Sequence, residues 1–386
     1  MRLIYFHTYG GNPLNGVNKK IFSQASNLYK LGIDIKLVLL WGINNKPLNE
    51  GYMTYIGQKH VHFLRVPFFN KLSRQYFAKK YIKEILRNAE SDTILYLRYS
   101  LPLFLLPFDL SNKRKCKIVI ECNSIELNEQ KESGFRLLYL RELILGKEFR
   151  KRCDAIVGVT DEITQYQVGR SGNSEKPYIT IGNGYDVNSV PVRHPTLFNE
   201  RELHLLCVAN VSHWHGLDRL IRGLAIYHGS TTVKLHIAGE GAEVSSIQKL
   251  TNEMGISDHV IFHGFTTGTA LDTLFNTCHI AVGSLGIHRI GLTESSTLKA
   301  REYCARGIPY IIACKDPDFP DDYPYIYRIP PDETPLNIKE VVEFTKSVYA
   351  DPDHPQKMRR YADEHLDWSV KMKQLKIFLK SLVNES

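Results

Sequence analysis

The chain has 386 residues, 43% hydrophobic and 23% charged, a balance that buries a sizeable core without disulfides or metal. A formal net charge of +8 favours anionic partners and leaves phosphorylated small molecules, anionic lipid and nucleic acid all open. The seven cysteines are dispersed with no CxxC pair, and no run of about 18 apolar residues occurs, which argues against a disulfide scaffold, a zinc ribbon and a spanning helix.

Met1-Arg-Leu-Ile-Tyr-Phe enters an apolar strand directly, without a long hydrophobic region or a small-residue cleavage site. Together with reduced thiols this predicts a cytoplasmic protein. Apolar runs predict strands at 3–7, 35–40, 61–66, 94–98, 117–121, 155–159 and 178–181. Amphipathic stretches predict helices over 17–31, 75–87 and 137–152. Near-continuous apolar strands are buried on both faces, as in a parallel sheet covered by helices. The first domain is therefore expected over 1–186. A polar, aperiodic stretch holding Pro191 and Pro195 then predicts a linker over 187–202.

The rhythm restarts at 203 and predicts a second domain to 360, with strands at 203–209, 233–238, 259–262, 280–283 and 310–313. Its helices are expected over 216–227, 243–254, 270–275 and 297–305. Residues 361–386 predict a helix, with Trp368 as an anchor, that packs back across the domain boundary. The fold class is α/β: two Rossmann-like, doubly wound domains in series.

Ligands of doubly wound sheets bind beyond the carboxyl ends of the strands, at helix N-termini. The loop Thr8-Tyr-Gly-Gly-Asn-Pro-Leu-Asn-Gly16 is one such place; it reads equally as a flexible strand-to-helix turn. A sharper signal is Gly291-Leu-Thr-Glu294-Ser295-Ser296-Thr297-Leu298-Lys299, leading to Glu302, Gly307 and Pro309. Capping residues open a helix there and Gly307 closes it, so unpaired N–H groups at its start suit a pyrophosphate. Glu294 precedes the helix, in place to accept from sugar hydroxyls. Glu302 lies lower, in place to accept from a ribose diol, and Lys299 adds a cation about one turn in, which reads as a phosphate contact or as a solvated helix lysine.

Glu294-x7-Glu302 followed by Gly307-x-Pro309 resembles the donor motif of retaining glycosyltransferases with the GT-B fold, particularly glycosyltransferase family 4. Asn183-Gly-Tyr-Asp186 is similar to that family's turn at the end of the first domain. Ala238-Gly239-Glu-Gly241 resembles its Gly-x-Gly turn, and Ile261-Phe-His-Gly264-Phe265 its base-proximal loop. Gly16 falls where the family has a glycine-rich loop near the donor phosphates. The resemblance implies two domains facing across a cleft and transfer of a hexose or derivative from a UDP- or GDP-linked donor with retained configuration. Departure of the diphosphate is then eased by the 295–298 amides, Arg289 and Lys299, with no metal and no cofactor beyond the donor.

Two departures stand out. The family commonly has an Arg and a Lys after the first strand of the second domain, where this chain has Asn210 and His215. A histidine often found beside the reacting sugar is replaced by Asn123. Asp316-Pro-Asp318 and Asp351-Pro-Asp353 fit an Asp-x-Asp metal string but read better as surface turns. Two segments, 71–90 and 131–152, carry six and seven Lys/Arg against two and three Glu, with interleaved aromatics. They suit an anionic bilayer beside a lipid-linked acceptor and read also as solvated faces. No nucleic-acid recognition motif accompanies the charge. The alternatives to a retaining transferase in surface polysaccharide synthesis are a non-catalytic sugar-nucleotide-binding protein, an epimerase and an inverting transferase. A dehydrogenase is disfavoured because no G-x-G-x-x-G follows the first strand.

Overall fold

The computed structural model describes residues 1–8, 16–41, 51–57, 67–99, 114–132, 134 and 136–384. The chain forms two compact units, residues 1–182 with 368–386, and residues 183–367.

The first unit runs β1 (Arg2–Thr8), α1 (Gly16–Lys30), β2 (Asp34–Trp41), β3 (Met53–Gly57), α2 (Pro67–Asn88), β4 (Thr93–Arg98) and β5 (Lys117–Cys122). It continues through α3 (Glu126–Glu132), α4 (Arg136–Arg141), a π-helical turn (Glu142–Gly146), α5 (Lys147–Arg152), β6 (Ala155–Gly158), α6 (Asp161–Ser171) and β7 (Tyr178–Thr180). The seven strands are all parallel in the order β3-β2-β1-β4-β5-β6-β7. β4 and β5 are buried along almost their whole length, which is why they read as unbroken apolar runs. The strand expected at 61–66 lies outside the described residues. β3 leaves little signal in the sequence, since Met53–Gly57 is only five residues long and ends in glycine.

The second unit runs β8 (Glu202–Val208), α7 (Leu217–Ala225), β9 (Thr232–Ala238), α8 (Val244–Glu253), β10 (Val260–Gly264), α9 (Gly268–Thr277) and β11 (Ile280–Val282). Then come α10 (Leu298–Arg306), β12 (Tyr310–Ile312), β13 (Ile326–Arg328), α11 (Ile338–Tyr349) and α12 (His354–Tyr361). Its sheet, again parallel, has the order β10-β9-β8-β11-β12-β13. The order reverses between β8 and β11, as it does between β1 and β4 in the first unit, and such switch points open the crevices that take ligands.

Residues 187–202 are not a free linker. They belong to the second unit, where Arg193 is buried and donates to the carbonyls of Gly307 (2.9 Å) and Cys278 (2.7 Å) and to the Tyr349 hydroxyl (3.0 Å). The prolines that suggest a linker follow the surface of a unit that starts at Asn183. The final helix, α13 (Trp368–Asn384), belongs to the first unit: Lys376 Nζ donates to the Leu31 carbonyl at 2.7 Å, and Trp368 is buried. Among the described residues no helix is long and apolar enough to cross a membrane.

Candidate active site

In the second unit the loops at the carboxyl ends of β8, β9 and β11 are bound to one another through their backbones. Leu285 N–H donates to the His215 carbonyl (3.0 Å) and Gly286 N–H to that of Trp214 (3.1 Å), lacing the β8 and β11 loops. The β9 loop closes on the β8 loop through Ala209 N–H to Ala238 O (3.1 Å) and Val211 N–H to Glu240 O (2.6 Å). That approach requires glycine: Gly239 and Gly241 sit at φ 142° and 147°, and a Cβ there would lie 1.9 Å from Ala209 O and 2.2 Å from Val211 O. Gly264, at the end of β10, accepts from Gly239 N–H at 2.7 Å, and the Phe265 ring beyond it is exposed.

Helix α10 starts at these loops. Thr297 is its N-cap, its hydroxyl accepting from Ala300 N–H at 3.4 Å, so the Leu298 and Lys299 amides open the helix with no carbonyl a turn earlier to bond. The start is clamped by Asn183, which donates its N–H to the Ser296 hydroxyl at 2.7 Å and its amide to the Ser296 carbonyl. Arg301 holds the clamp: its Nε donates to Asn183 O at 2.9 Å, and its fork grips Asp316 and Asp318. Asp316-Pro-Asp318 is a turn, with Asp318 N–H donating to Asp316 Oδ1 at 3.2 Å, but not a solvated one. Asp316 is buried, and both carboxylates are spent on a fully buried arginine. Among the described residues no three His, Cys, Asp or Glu side chains are placed to hold a metal ion together.

Lys299 is the unusual member. Its ammonium is buried and without a hydrogen-bond partner among the described residues, and burial lowers its pKa from 10.5 to about 8. It also stands at the positive end of a helix dipole, where a cation is least welcome. His215 lies within electrostatic reach; burial first and the Lys299 charge second push its pKa down to about 2. Its Nδ1 accepts from Ser212 N–H at 2.9 Å, so the neutral ring carries its proton on Nε2. His215 thus supplies a neutral donor, and Asn210 beside it is exposed.

Other expected residues fare differently. The Glu294 backbone bridges to Lys315 beyond β12, its carboxylate 3.8 Å from Lys315 Nζ. The Ser295 amide is committed to the Lys315 carbonyl (2.9 Å), which removes it from the set of free donors. Glu302 accepts from Arg306 Nε at 2.9 Å and lies beside the Tyr185 hydroxyl, whose pKa rises through burial first and Glu302 second. Arg289 is not available to a phosphate. Nε and Nη2 engage Glu333 (2.9 and 2.5 Å), Nη1 and Nη2 engage Asp218 (2.8 and 2.9 Å), and Nη1 also reaches His213 O (2.8 Å). All five of its donors are taken.

In the first unit, Gly16 opens α1, and residues 9–15 of its loop lie outside the described residues. Asn123 follows β5, and its Oδ1 accepts from Lys20 Nζ at 2.6 Å. Lys20 also pairs with buried Glu121 at 2.5 Å. Glu121 is drawn to a pKa of about 2: burial alone would raise it, but Lys20 and Arg98 together with hydrogen bonds outweigh that. Because an ammonium only donates, Lys20 fixes the Asn123 amide with Nδ2 pointing away, and that nitrogen is buried without a partner among the described residues. The sequence marks neither Lys20 nor Glu121 as functional, since Lys20 reads as one of two adjacent helix lysines.

Residues 192–321 match the family model described as Glycosyl transferases group 1. Sucrose-phosphate synthase from Thermosynechococcus elongatus superposes with a TM-score of 0.71 at 15% identity, covering 100% of both chains. Anabaena HepE in complex with UDP-glucose superposes with a TM-score of 0.62 at 13% identity, covering 99% of this chain and 100% of that one. WaaG, a glycosyltransferase involved in lipopolysaccharide biosynthesis, gives 0.63 at 14% identity, covering 97% of this chain and 99% of its own. No curated protein matches. At these identities the likeness is one of fold. The architecture is GT-B, as the donor-motif resemblance implied.

Proposed function

We propose that the chain is a glycosyltransferase that moves a hexose or hexose derivative from a nucleoside-diphosphate sugar to a hydroxyl of a glycan or lipid-linked acceptor, with retention, in surface polysaccharide synthesis. The observation that carries the reading is Lys299: a buried, unpartnered ammonium at the opening turn of α10. An uncompensated buried charge is costly, and a diphosphate is the anion that this position fits. The Leu298 and Lys299 amides and the Nε2–H of His215 add neutral donors to the same group, so negative charge developing on the departing diphosphate meets fixed dipoles. Glu294 would accept from sugar hydroxyls, Glu302 from the ribose diol, and Phe265 would cover the base.

The acceptor hydroxyl attacks the anomeric carbon from the face that the diphosphate leaves. The carbon–phosphate-oxygen bond breaks, the new glycosidic bond forms, and the hydroxyl proton passes to the departing phosphate oxygen. No protein nucleophile takes part and no metal is required. Since HepE is seen with UDP-glucose, uridine nucleotides are the first donors to test. In Glu294→Ala, circular dichroism and thermal stability should match the parent while release of nucleoside diphosphate in the presence of acceptor falls at least about a hundredfold. Unchanged release would overturn the site, and an inverted anomeric proton in the product's NMR spectrum would overturn the stereochemistry.

A sugar-nucleotide-binding protein without transfer activity is the second reading, favoured by the saturation of Arg289 and the neutrality of His215. Calorimetric binding of donor, with no nucleoside diphosphate released by any acceptor, would establish it.

A further inference from the structure

The segment Arg136–Arg152, comprising α4, the π-helical turn and α5, is built inside out. Two of its charges, Glu142 and Arg150, face inward. Arg150, fully buried, donates to Glu126 (2.8 Å), Glu142 (2.7 Å), the Tyr99 hydroxyl (3.0 Å) and Gln167. Its outward residues are 136, 137, 140, 143, 144, 147, 148 and 151, which recur at the three- and four-residue spacing of one helical face. The middle of that stripe is aliphatic: Leu137 is 69% exposed, Leu140 53%, Leu143 43% and Ile144 66%. Of the thirteen large hydrophobic residues exposed among the described residues, four fall on this stripe, so it is a patch and not scatter.

The ends of the stripe are basic. Arg136 precedes the aliphatics; Lys147 and Lys151 follow them. The acidic Glu148 is matched by Arg152, whose Nε donates to it at 2.8 Å. We propose that this stripe seats the protein on an anionic lipid bilayer, its four aliphatics among the upper acyl chains and Arg136, Lys147 and Lys151 against lipid phosphates. An amphipathic helix lying in the membrane plane needs this composition, apolar at the centre and cationic at the flanks. A second copy of the chain fits worse, because two-fold pairing of the stripe with itself brings basic end against basic end. The inference is independent of the proposed transfer reaction.

The full chain is sedimented with vesicles of phosphatidylcholine alone and of phosphatidylcholine mixed with phosphatidylglycerol. The parent protein should pellet with the mixed vesicles and stay in solution with the neutral ones. Leu140→Glu with Ile144→Glu should lower the partition coefficient at least about tenfold. Leu197→Glu with Ile226→Glu makes the same charge change at exposed aliphatics elsewhere and should leave binding unchanged. Both pairs alter exposed positions, and matching circular dichroism confirms that they fold. The proposal is overturned if the parent ignores the mixed vesicles, if the two pairs lose binding equally, or if the first pair binds like the parent. It is also overturned if that pair converts a dimer to a monomer in sedimentation equilibrium with vesicle binding intact.

Discussion

Replacing Lys299 by methionine keeps the length of the side chain and removes its charge. Lowering the ammonium's pKa from 10.5 to about 8 corresponds to about 3 kcal/mol of preference for the neutral amine. At neutral pH the empty protein carries that cost, so Lys299→Met should stabilise it by about 1–3 kcal/mol in urea unfolding. The same substitution removes a charge-assisted bond to the donor diphosphate and should weaken calorimetric binding of nucleoside diphosphate roughly a hundredfold. The sign with pH is fixed as well. The unfolded chain holds the lysine proton more tightly than the folded one between about pH 8 and pH 10.5, so stability of the parent rises with pH across that window. Donor affinity falls above about pH 8 as the ammonium loses its proton, and both trends should vanish in the variant. A variant that unfolds more easily and binds nucleotide as well as the parent would refute the reasoning.

Arg289→Gln should cost about 1 kcal/mol through the partly exposed Asp218 and Glu333 pairs and leave nucleotide affinity within about twofold by calorimetry, since no donor of Arg289 is free. Arg301→Met strands buried Asp316 and its neighbour Asp318 and should cost about 3–5 kcal/mol in urea unfolding, partly recovered when both become asparagine. His236 lies between His204 and His263, each 2.9 Å from one of its ring nitrogens, and burial followed by these neighbours lowers its pKa to about 4. The unfolded chain therefore binds the proton first, and stability should fall as pH drops from about 6.5 towards 4; thermal melts of His236→Gln should show a flatter acid limb.

The strands were legible because each sheet is parallel and its strands are largely buried, so β1, β2, β4 and β5 read as near-continuous apolar runs and β8 and β9 as apolar runs broken by single polar residues. β13 was not, being three residues long with Tyr327 and Arg328 only partly buried. Helix α11 also went unread, its buried Ile338, Val341, Val342, Thr345 and Val348 spread among charged residues after a proline-rich turn. The helix at Thr297–Gly307 was legible from its cap and its terminal glycine. What its residues touch was not. Arg289 looked like a free cation because Asp218 and Glu333 stand 71 and 44 positions away in the chain. Lys299 looked like an ordinary helix lysine, and its isolation depends on neighbours such as Cys207 and Cys314 that sequence spacing does not bring together. Asn123 was noted as a substitution; that Lys20 sets its orientation follows from a contact spanning 103 residues.

The most direct test is a crystal structure with UDP or GDP bound, whichever shows calorimetric affinity. The diphosphate should lie within hydrogen-bond distance of Lys299 Nζ and the Leu298 and Lys299 amides. A nucleotide bound elsewhere, with the ammonium still unengaged, would contradict the account.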